Sequence, residues 1–201
     1  MAQARILIFL TLITLAVVAC KEKPAPAKPE DKTFTDSRDG KTYKFVKINN
    51  QTWMAENLNF EFGNSKCYDN EAENCEKYGR LYSWKDANAV CPPGWHLPSD
   101  EEWNELVAFV GEEEAGKKLK SKNGWDEEGN GTDEYDFSAL PGGLGWSRGF
   151  NNAGNLGYWW SASDVNRLDA WSRNINYSHD VLFRYLNDKI YMYSVRCIKD
   201  T

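Results

Sequence analysis

Residues 84–103 read WKDANAVCPPGWHLPSDEEW, and this stretch carries the strongest structural signals of the chain. Its first part belongs to an apolar stripe at roughly helical spacing, formed by Leu81, Trp84, Ala87 and Cys91. The sequence Pro92-Pro93-Gly94 ends the stripe, because two prolines and a glycine do not continue a helix. We therefore predict a first helix over residues 81–91.

A second helix is predicted directly after it. Ser99 is followed three residues later by Glu102, which is the pattern of a capping box. Apolar residues then recur at helical spacing, and the pattern ends at Gly111; they are Trp103, Leu106, Val107 and Val110. Favourable Glu–Lys pairs four residues apart, within residues 113–118, predict a further exposed helical turn or two.

Strand patterns flank the helices on both sides. Lys41–Ile48 and Gln51–Met54 surround the turn signal Asn49-Asn50 and predict an N-terminal hairpin. Residues 58–78 are polar and irregular, and residues 123–157 form a long loop region rich in Gly and Asn. Aromatic or β-branched runs follow at 158–162, 170–177, 182–186 and 191–198. The predicted fold class is α+β: a hairpin, two helices, a long loop region and a C-terminal antiparallel sheet.

Composition narrows the class of protein. The chain has 201 residues, with 24 basic and 30 acidic side chains for a net charge of −6. Non-specific binding to nucleic acid needs clustered Lys and Arg, so we expect no nucleic-acid partner. An aromatic content of 14% argues against a disordered chain, and the length suits one domain.

The N terminus has the features of an export signal. Arg5 precedes an uncharged, mostly apolar run at 6–18, which is too short to span a bilayer. Val17-Val18-Ala19-Cys20 resembles the lipobox of bacterial lipoproteins, which implies cleavage before Cys20 and acylation of Cys20, with palmitate for example. Ordinary secretory cleavage near Ala19 is the alternative.

The predicted organisation is a signal peptide at 1–19, a lipidated Cys20 with a Pro/Ala/Lys tether at 20–32, and a single domain at 33–201. We expect a lipid-anchored protein of the bacterial envelope, in the outer membrane, on its periplasmic or surface face.

Four further cysteines in an exported chain predict two disulfides, for which three pairings are possible. We favour Cys67–Cys75, which closes a short polar loop, and Cys91–Cys197, which ties the middle of the chain to its last strand. A zinc site that includes Cys91 and His96 is the rival interpretation, but it lacks a CxxC pair and a second histidine at ligand spacing.

The helical segment, together with the closing Ser194-Val195-Arg196-Cys197, resembles the C-type-lectin-like domains. In that fold a cysteine of the first helix bonds one on the final strand, which agrees with the favoured Cys91–Cys197 pairing. Three further segments are similar to the Fibrobacter succinogenes major paralogous domain family: Gln51–Leu58, Asp136–Gly143 and Gly157–Ser163. The resemblance covers nearly all of the predicted mature chain and implies a bacterial surface lipoprotein without an assigned activity. Asp136 stands where glycine is usual in this family.

Catalytic and metal chemistry have little support in the sequence. The same broad fold includes formylglycine-generating enzymes, which work with a reactive cysteine pair, but here the cysteines are assigned to lipid or disulfides. Ser178-His179-Asp180 lacks the nucleophile elbow of a hydrolase. We expect no cofactor; calcium is the one candidate, at a loop that only loosely matches a calcium-binding pattern through Asp126, Glu128, Asn130 and Asp133.

Tryptophans in or beside the long loops are the candidate ligand contacts. The predicted set combines aromatic rings that stack on a sugar or anchor a protein with side chains that donate hydrogen bonds. Its members are Trp146, Trp159, Trp160, Trp171, Arg173, Asn151 and Asn166. Because Trp159 and Trp160 are adjacent in a strand, only one of them is core if the sheet is covered on one side.

The leading hypothesis is a non-enzymatic recognition or adhesion module for a carbohydrate or protein ligand. The alternatives are an envelope structural protein and a formylglycine-generating-enzyme-like catalyst.

Overall fold

The computed structural model describes residues 32–201, which form one compact unit. The predicted signal peptide at 1–19, the lipidation at Cys20 and the tether up to residue 31 lie outside the described residues. Within the described part, no helix has the length and apolar character that a membrane span needs.

The described residues contain twelve strands and four α-helices. The strands are β1 (Thr33–Thr35), β2 (Thr42–Ile48), β3 (Gln51–Met54), β4 (Leu81–Ser83), β5 (Trp95–His96), β6 (Gly142–Trp146), β7 (Gly149–Ala153), β8 (Leu156–Asp164), β9 (Asp169–Asn176), β10 (Leu182–Asp188), β11 (Met192–Ser194) and β12 (Ile198–Lys199). The helices are α1 (Ala72–Tyr78), α2 (Trp84–Val90), α3 (Asp100–Val110) and α4 (Ala115–Leu119).

Two sheets organise the domain. The five-stranded sheet has the order β1-β2-β3-β12-β5 and contains the predicted hairpin, in which Ile48 pairs with Gln51. The seven-stranded sheet has the order β10-β9-β8-β11-β6-β7, with β4 paired to β11. The chain passes from the second sheet to the first between β11 and β12, so the single strand predicted over 191–198 is in fact two short strands.

The C-terminal sheet is mixed rather than purely antiparallel. Strands β6 and β7 form a hairpin, so β8 runs in the same direction as β6 when it pairs with it at Gly143 and Gly157. Strand β8 is also parallel to β11, at Trp159 and Ser194. The parallel pairs therefore follow from the β6–β7 hairpin, which lies inside the region predicted as a long loop.

The two predicted helices are present, with one correction. Helix α3 begins at the predicted capping box: the Ser99 side chain accepts from the Glu102 backbone, and the Glu102 side chain accepts from Ser99. The first helix begins at Trp84 rather than at Leu81, because Leu81–Ser83 pair with β11 and Ser83 caps the helix. The further turn at Ala115–Leu119 is present, although it buries Ala115 and Leu119 rather than being exposed.

The region at 58–78, predicted as irregular, contains α1 at its end. This helix has one clear hydrophobic pair, Cys75 and Tyr78, and it lacks a side-chain cap. Short helices of this kind depend on tertiary packing more than on local signals, which explains why the periodicity did not predict it.

Both predicted disulfides are formed. Cys67 and Cys75 are joined across the start of α1, and Cys91 at the end of α2 is joined to Cys197 beside β12. The second bridge rules out Cys91 as a zinc ligand and places the end of the first predicted helix against the final strands.

Two hydrophobic cores lie on opposite sides of the seven-stranded sheet. One core packs α3 and α4 against Trp159, and the other packs α2 against Trp160. Both tryptophans are fully buried, so the sheet is covered on both sides at this point. Burial of an aromatic side chain of this size contributes several kcal/mol to folding, on the order of 3.

Candidate ligand-binding face

One side of the seven-stranded sheet carries a row of aromatic side chains that the core around Trp160 covers only in part. Strand register places Phe183, Asn174 and Tyr158 side by side across β10, β9 and β8. The next row contains Tyr185, Ser172 and Trp160. Residues opposite each other on neighbouring strands point to the same side, so both rows share one face.

The aromatic row continues across β11 to β6. Tyr193 stacks on Tyr158 with ring centroids 4.9 Å apart, and Tyr191 stacks on Tyr193 at 6.0 Å. Leu144 of β6 packs against the same core, and Trp146 lies two residues further along that strand, on the same side. Asn151 of β7 is opposite Leu144 and also shares this side.

We call this surface the open face and define it by the residues that are at least partly exposed there. They are Trp146, Asn151, Tyr158, Phe183, Tyr185, Asn187 and Tyr191. Tyr185 is the most exposed aromatic among them, with 47% of its surface accessible. The remaining aromatic side chains of the face are half-buried, so each is held in place while one side of its ring meets solvent.

Polar atoms of the open face are mostly directed at solvent. Within residues 32–201, Tyr158 is the one tyrosine of the face whose hydroxyl has a partner, Asn152 Nδ2 at 3.5 Å. The Asn187 amide donates to Ser172 Oγ at 2.7 Å and fills the floor between β9 and β10. Burial raises the pKa of Tyr158, so its hydroxyl is neutral and can both donate and accept.

None of the residues that define the open face is charged, but Asp164, which is opposite Ala170 in the register, shares this side at its edge. At its edge, near Trp84, Lys189 Nζ pairs with Asp164 Oδ2 at 3.0 Å, and the ammonium also lies 4.0 Å from the centre of the Trp84 ring. These two charges offset each other. The surface therefore offers aromatic rings, amides and hydroxyls, but no net charge.

The opposite side of the same sheet, which we call the closed face, has a different character. It bears Trp159, Trp171 and Arg173, and helix α3 packs over it. The Asp100 carboxylate at the start of α3 pairs with Arg173 at 2.7 Å and with Arg184 at 2.7 Å. The Arg184 guanidinium in turn lies 3.3 Å from the centre of the Trp171 ring.

The charges of the closed face are compensated inside the protein. Burial by itself raises the pKa of Asp100, but hydrogen bonds from Arg184 and the charge of Arg173 outweigh it, and the pKa lies below its usual value. Arg173 also donates to the Asp100 carbonyl at 3.0 Å and to Asn104 Oδ1 at 2.8 Å. A side chain with this many internal partners is a structural element of the closed face.

The predicted ligand-binding residues are therefore divided among three places. Trp146 and Asn151 lie on the open face, as a recognition role requires. Trp159, Trp160 and Arg173 are buried, and Trp171 is partly exposed beneath the Arg184 guanidinium on the closed face; a ligand-binding role for these four stays a prediction. Asn166 is exposed, but its Oδ1 accepts from the Leu168 and Asp169 backbone and shapes the turn between β8 and β9.

Five residues of the open face were not predicted: Tyr158, Phe183, Tyr185, Asn187 and Tyr191. Tyr158 was overlooked because its neighbours Trp159 and Trp160 are larger. The sequence did contain a signal for the open-face residues of β10. Phe183, Tyr185 and Asn187 occupy every second position of this strand, on the side opposite Arg184.

The segments that carry the family resemblance meet at one buried cation, Arg196. Its guanidinium donates to Asn57 Oδ1 in the first segment and to the carbonyls of Phe137 and Ser138 in the second. Trp159, in the third segment, donates to the same Asn57 oxygen at 2.8 Å. Burial lowers the pKa of Arg196 to about 9, which leaves it charged at neutral pH without a salt bridge to any described residue.

This arrangement also explains the residue that departs from the family. Asp136 has a φ of +53°, in the left-handed region where glycine is preferred and where Asp is among the better-tolerated alternatives. The turn brings the Phe137 and Ser138 carbonyls to Arg196. The shared segments thus build mainly the interior, and Tyr158 of the third segment is their one contribution to the open face.

The loop considered for calcium does not assemble a set of ligands. Asp133 is buried and accepts from the Ser138 backbone and hydroxyl, both at 2.7 Å, whereas Asp126 and Glu128 are exposed. Asn130 Oδ1 accepts from the Trp125 backbone at 3.1 Å. Across residues 32–201, no group of three or more His, Cys, Asp or Glu side chains is placed to hold a metal ion.

A polar cleft of about 230 Å³ lies beside β2 and α1, away from the open face. It contains two glutamates, Glu56 and Glu76, whose carboxylates accept from the Lys44 backbone and from Asn59. Its volume is below the usual range for a ligand pocket, about 300–1,000 Å³. The four cysteines of the described residues are all in disulfides, so none of them supplies a free thiol for catalysis.

His96 is the other titratable group with a defined environment. Its ring nitrogens lie 2.6 Å from Asp200 Oδ1 and 2.9 Å from Glu102 Oε1. Burial tends to lower the pKa of His96, but the two carboxylates outweigh it and raise the value. Both nitrogens face groups that only accept, so His96 is a cation that ties β5 to α3 and the C terminus.

Comparison with known proteins identifies the family. The model of the Fibrobacter succinogenes major domain family matches residues 46–199, which is most of the chain. The chain belongs to this family of α+β domains. Among curated proteins and among solved structures, nothing matches the chain.

Proposed function

We propose that the protein is a non-catalytic recognition module of the bacterial cell envelope, which binds its ligand on the open face. The observation that carries the proposal is the exposure of aromatic side chains, led by Tyr185, on an otherwise buried sheet. Soluble proteins usually bury such residues, so a contiguous aromatic surface marks a site of interaction.

The shape of the surface supports binding rather than catalysis. Rings from three strands and one turn share a face without a deep cavity, and none of the residues that define this face is charged. A catalytic site normally contains titratable groups in a concave pocket, with pKa values shifted to suit the reaction. Recognition needs only complementary shape and hydrogen bonding.

A C-type-lectin-like arrangement is part of the proposal. The bridge from Cys91 at the end of a helix to Cys197 beside the last strands supports it, as does the sequence of the two helices. Folds of this type place loops and sheet edges at the surface. The assignment of function still rests on the open face, since a fold alone does not define one.

Anchoring completes the proposed role. The signal-like N terminus and Cys20 support export and acylation, with the tether at 20–32 between the lipid and the domain. The test is labelling of the full chain with a palmitate analogue, followed by membrane fractionation. We expect labelled, membrane-bound protein and the loss of both properties in Cys20→Ser; an unlabelled full chain would contradict anchoring without affecting the open face.

The binding test uses residues 31–201, which contain both disulfides and both hydrophobic cores. The segment is applied to a glycan array and to purified envelope proteins, next to the double variant Tyr158→Ala/Tyr185→Ala. Phe109→Ala is the matched control, because Phe109 is 49% exposed but lies on α3, outside the open face.

Retention that is lost in the double variant and kept in Phe109→Ala supports recognition by the open face. Retention that is equal in all three proteins would place the binding site elsewhere. Circular dichroism and thermal unfolding check that the double variant remains folded.

Assembly with another envelope component is the second candidate function. Aliphatic side chains are exposed together where the turns after β8 and β10 meet, and Lys189 donates to the Leu168 carbonyl between them at 2.8 Å. They are Val165, Leu168, Leu186 and Ile190, of which Ile190 is 65% exposed. If Leu168→Ser/Ile190→Ser abolishes an interaction that the open-face variant keeps, assembly replaces recognition as the function.

A further inference from the structure

We infer that the ligand of the open face is a neutral polysaccharide chain that lies across the strands, and this inference rests on the proposed function. The observations are the absence of charge on the face, the alternation of rings with amides, and the extent of the aromatic row.

Charge excludes the principal competing ligands. An acidic polysaccharide or a nucleic acid requires Lys or Arg side chains, and a basic partner requires carboxylates. The residues that define the open face include neither, and the two charged side chains at its edge, Asp164 and Lys189, are paired with each other. The net charge of the chain, −6, further opposes the approach of a polyanion.

The chemistry of the face fits a sugar ring. A pyranose presents apolar C–H groups on its faces and hydroxyls at its edge, so it needs an aromatic surface with donors and acceptors beside it. Tyr158, Tyr185 and Tyr191 supply both ring and hydroxyl, and Trp146 adds an indole N–H. Asn151 adds an exposed amide between β6 and β7.

A protein partner is a poorer match for this surface. Protein interfaces usually have a fully desolvated centre surrounded by a polar rim. Here the floor between Tyr158 and Tyr185 is polar, formed by Asn174 and Ser172, and the rings stand on either side of it. Polar and aromatic positions alternate across the sheet. A glycan likewise presents apolar C–H faces and polar hydroxyls in turn along its length.

The extent of the row predicts the length of the binding site. From β10 to β6 there are four strand spacings, or roughly 19 Å, when each spacing is about 4.8 Å. A sugar unit advances a chain by roughly 5 Å, so the face accommodates about four units. The site is a surface rather than a pocket, so it recognises the interior of a chain rather than its end.

The experiment is titration calorimetry of residues 31–201. The neutral ligands are β-1,4-linked glucose, xylose and mannose oligosaccharides of increasing length, and the acidic ligand is polygalacturonate. We expect at least one neutral series to bind, with affinity rising up to about four units and then levelling off. We expect less than about a twofold change in affinity between low and high salt, because no ion pairs form.

Variants locate the interaction and provide the control. Tyr185→Ala and Tyr158→Ala are expected to weaken binding roughly tenfold each, since each removes one stacking contact. Phe109→Ala is expected to bind like the wild type. Tyr185→Phe keeps the ring and removes the hydroxyl, so it should lose less affinity than Tyr185→Ala.

The outcomes separate this inference from the proposed function. Binding to polygalacturonate in preference to neutral chains, or a steep salt dependence, overturns the neutral-glycan inference and leaves recognition by the open face intact. If the segment binds an envelope protein but no glycan, and the open-face variants lose that binding, the neutral-glycan inference is also overturned while recognition by the open face stands. Binding that ignores the open-face variants, or no binding to any glycan or envelope protein, overturns both.

Discussion

The open and closed faces of the seven-stranded sheet are built from neighbouring residues of the same strands. In β8, Trp159 is buried in the closed face and bonded to Asn57, whereas Tyr158 is half-buried and meets solvent. In β10, Arg184 is held by Asp100, whereas Tyr185 next to it is exposed. Alternate positions of one strand therefore differ in burial, and we propose that they serve stability and recognition separately.

The largest expected effect is at the closed face, in Trp159→Ala. Removal of this buried ring leaves a cavity and takes a donor from Asn57, for an expected loss of about 3–5 kcal/mol in the free energy of unfolding. Denaturant unfolding of residues 31–201 measures it. A loss below about 1 kcal/mol would show that the closed face is not the stabilising side.

Asp100→Asn is expected to have a slightly smaller effect, about 3 kcal/mol. The change leaves the buried Arg173 guanidinium without its carboxylate, which costs more than the pair itself contributes. Glu101→Gln is the matched control, because Glu101 is the next residue and is exposed. The control should stay within about 0.5 kcal/mol of the wild type, and equal losses in both variants would assign the effect to the helix terminus.

Acid should weaken the closed face before it affects the open face. The pKa of Asp100 is lowered in the folded protein, so its contribution is present above the unfolded value, about 3.9, and is lost as the pH falls through the folded value. Unfolding measured from pH 6 to pH 2 should show a steeper loss of stability in the wild type than in Asp100→Asn. Parallel curves would mean that other carboxylates dominate.

The smallest expected effect on stability is that of Tyr185→Ala. The side chain is 47% exposed and lies on the edge strand, so we expect a change within about 0.5 kcal/mol in unfolding experiments. A loss above about 2 kcal/mol would mean that the open face also holds the sheet together, and the division between the faces would fail.

The parts of the fold that sequence predicted are those with strong local signals. Helix α3 was located by its capping box, and the β2–β3 hairpin by its turn and flanking strands. The β6–β7 hairpin was missed, because its strands are rich in Gly and Asn, with Gly142, Gly143 and Gly145 in β6 alone. Such strands are specified by their partners rather than by their own propensity.

The candidate site was predicted less well than the fold, for a physical reason. Residue type selected Trp146, which is partly exposed, but it also selected Trp159 and Trp160, which are among the largest side chains of the interior. Exposure depends on what packs against each face of a sheet, here α3 on one side and α2 on part of the other. That information is non-local, since α2 and α3 are distant in the chain from the strands that they cover.

The bridge between Cys91 and Cys197 has a mechanical consequence for a protein held at its N terminus. Every residue of the open face lies between these two cysteines, so if the protein is anchored and binds a ligand as proposed, tension would reach the N terminus through the covalent junction that they form. Tyr185 is 12 residues from Cys197 and 94 from Cys91, by 197 − 185 and 185 − 91. If the domain were pulled apart, the shorter arm would stop the extension between Tyr185 and the junction at roughly 40 Å, at about 3.3–3.6 Å per residue. The bridge thus limits the extension to that of the shorter arm, and the longer arm between Cys91 and Tyr185 is not stretched.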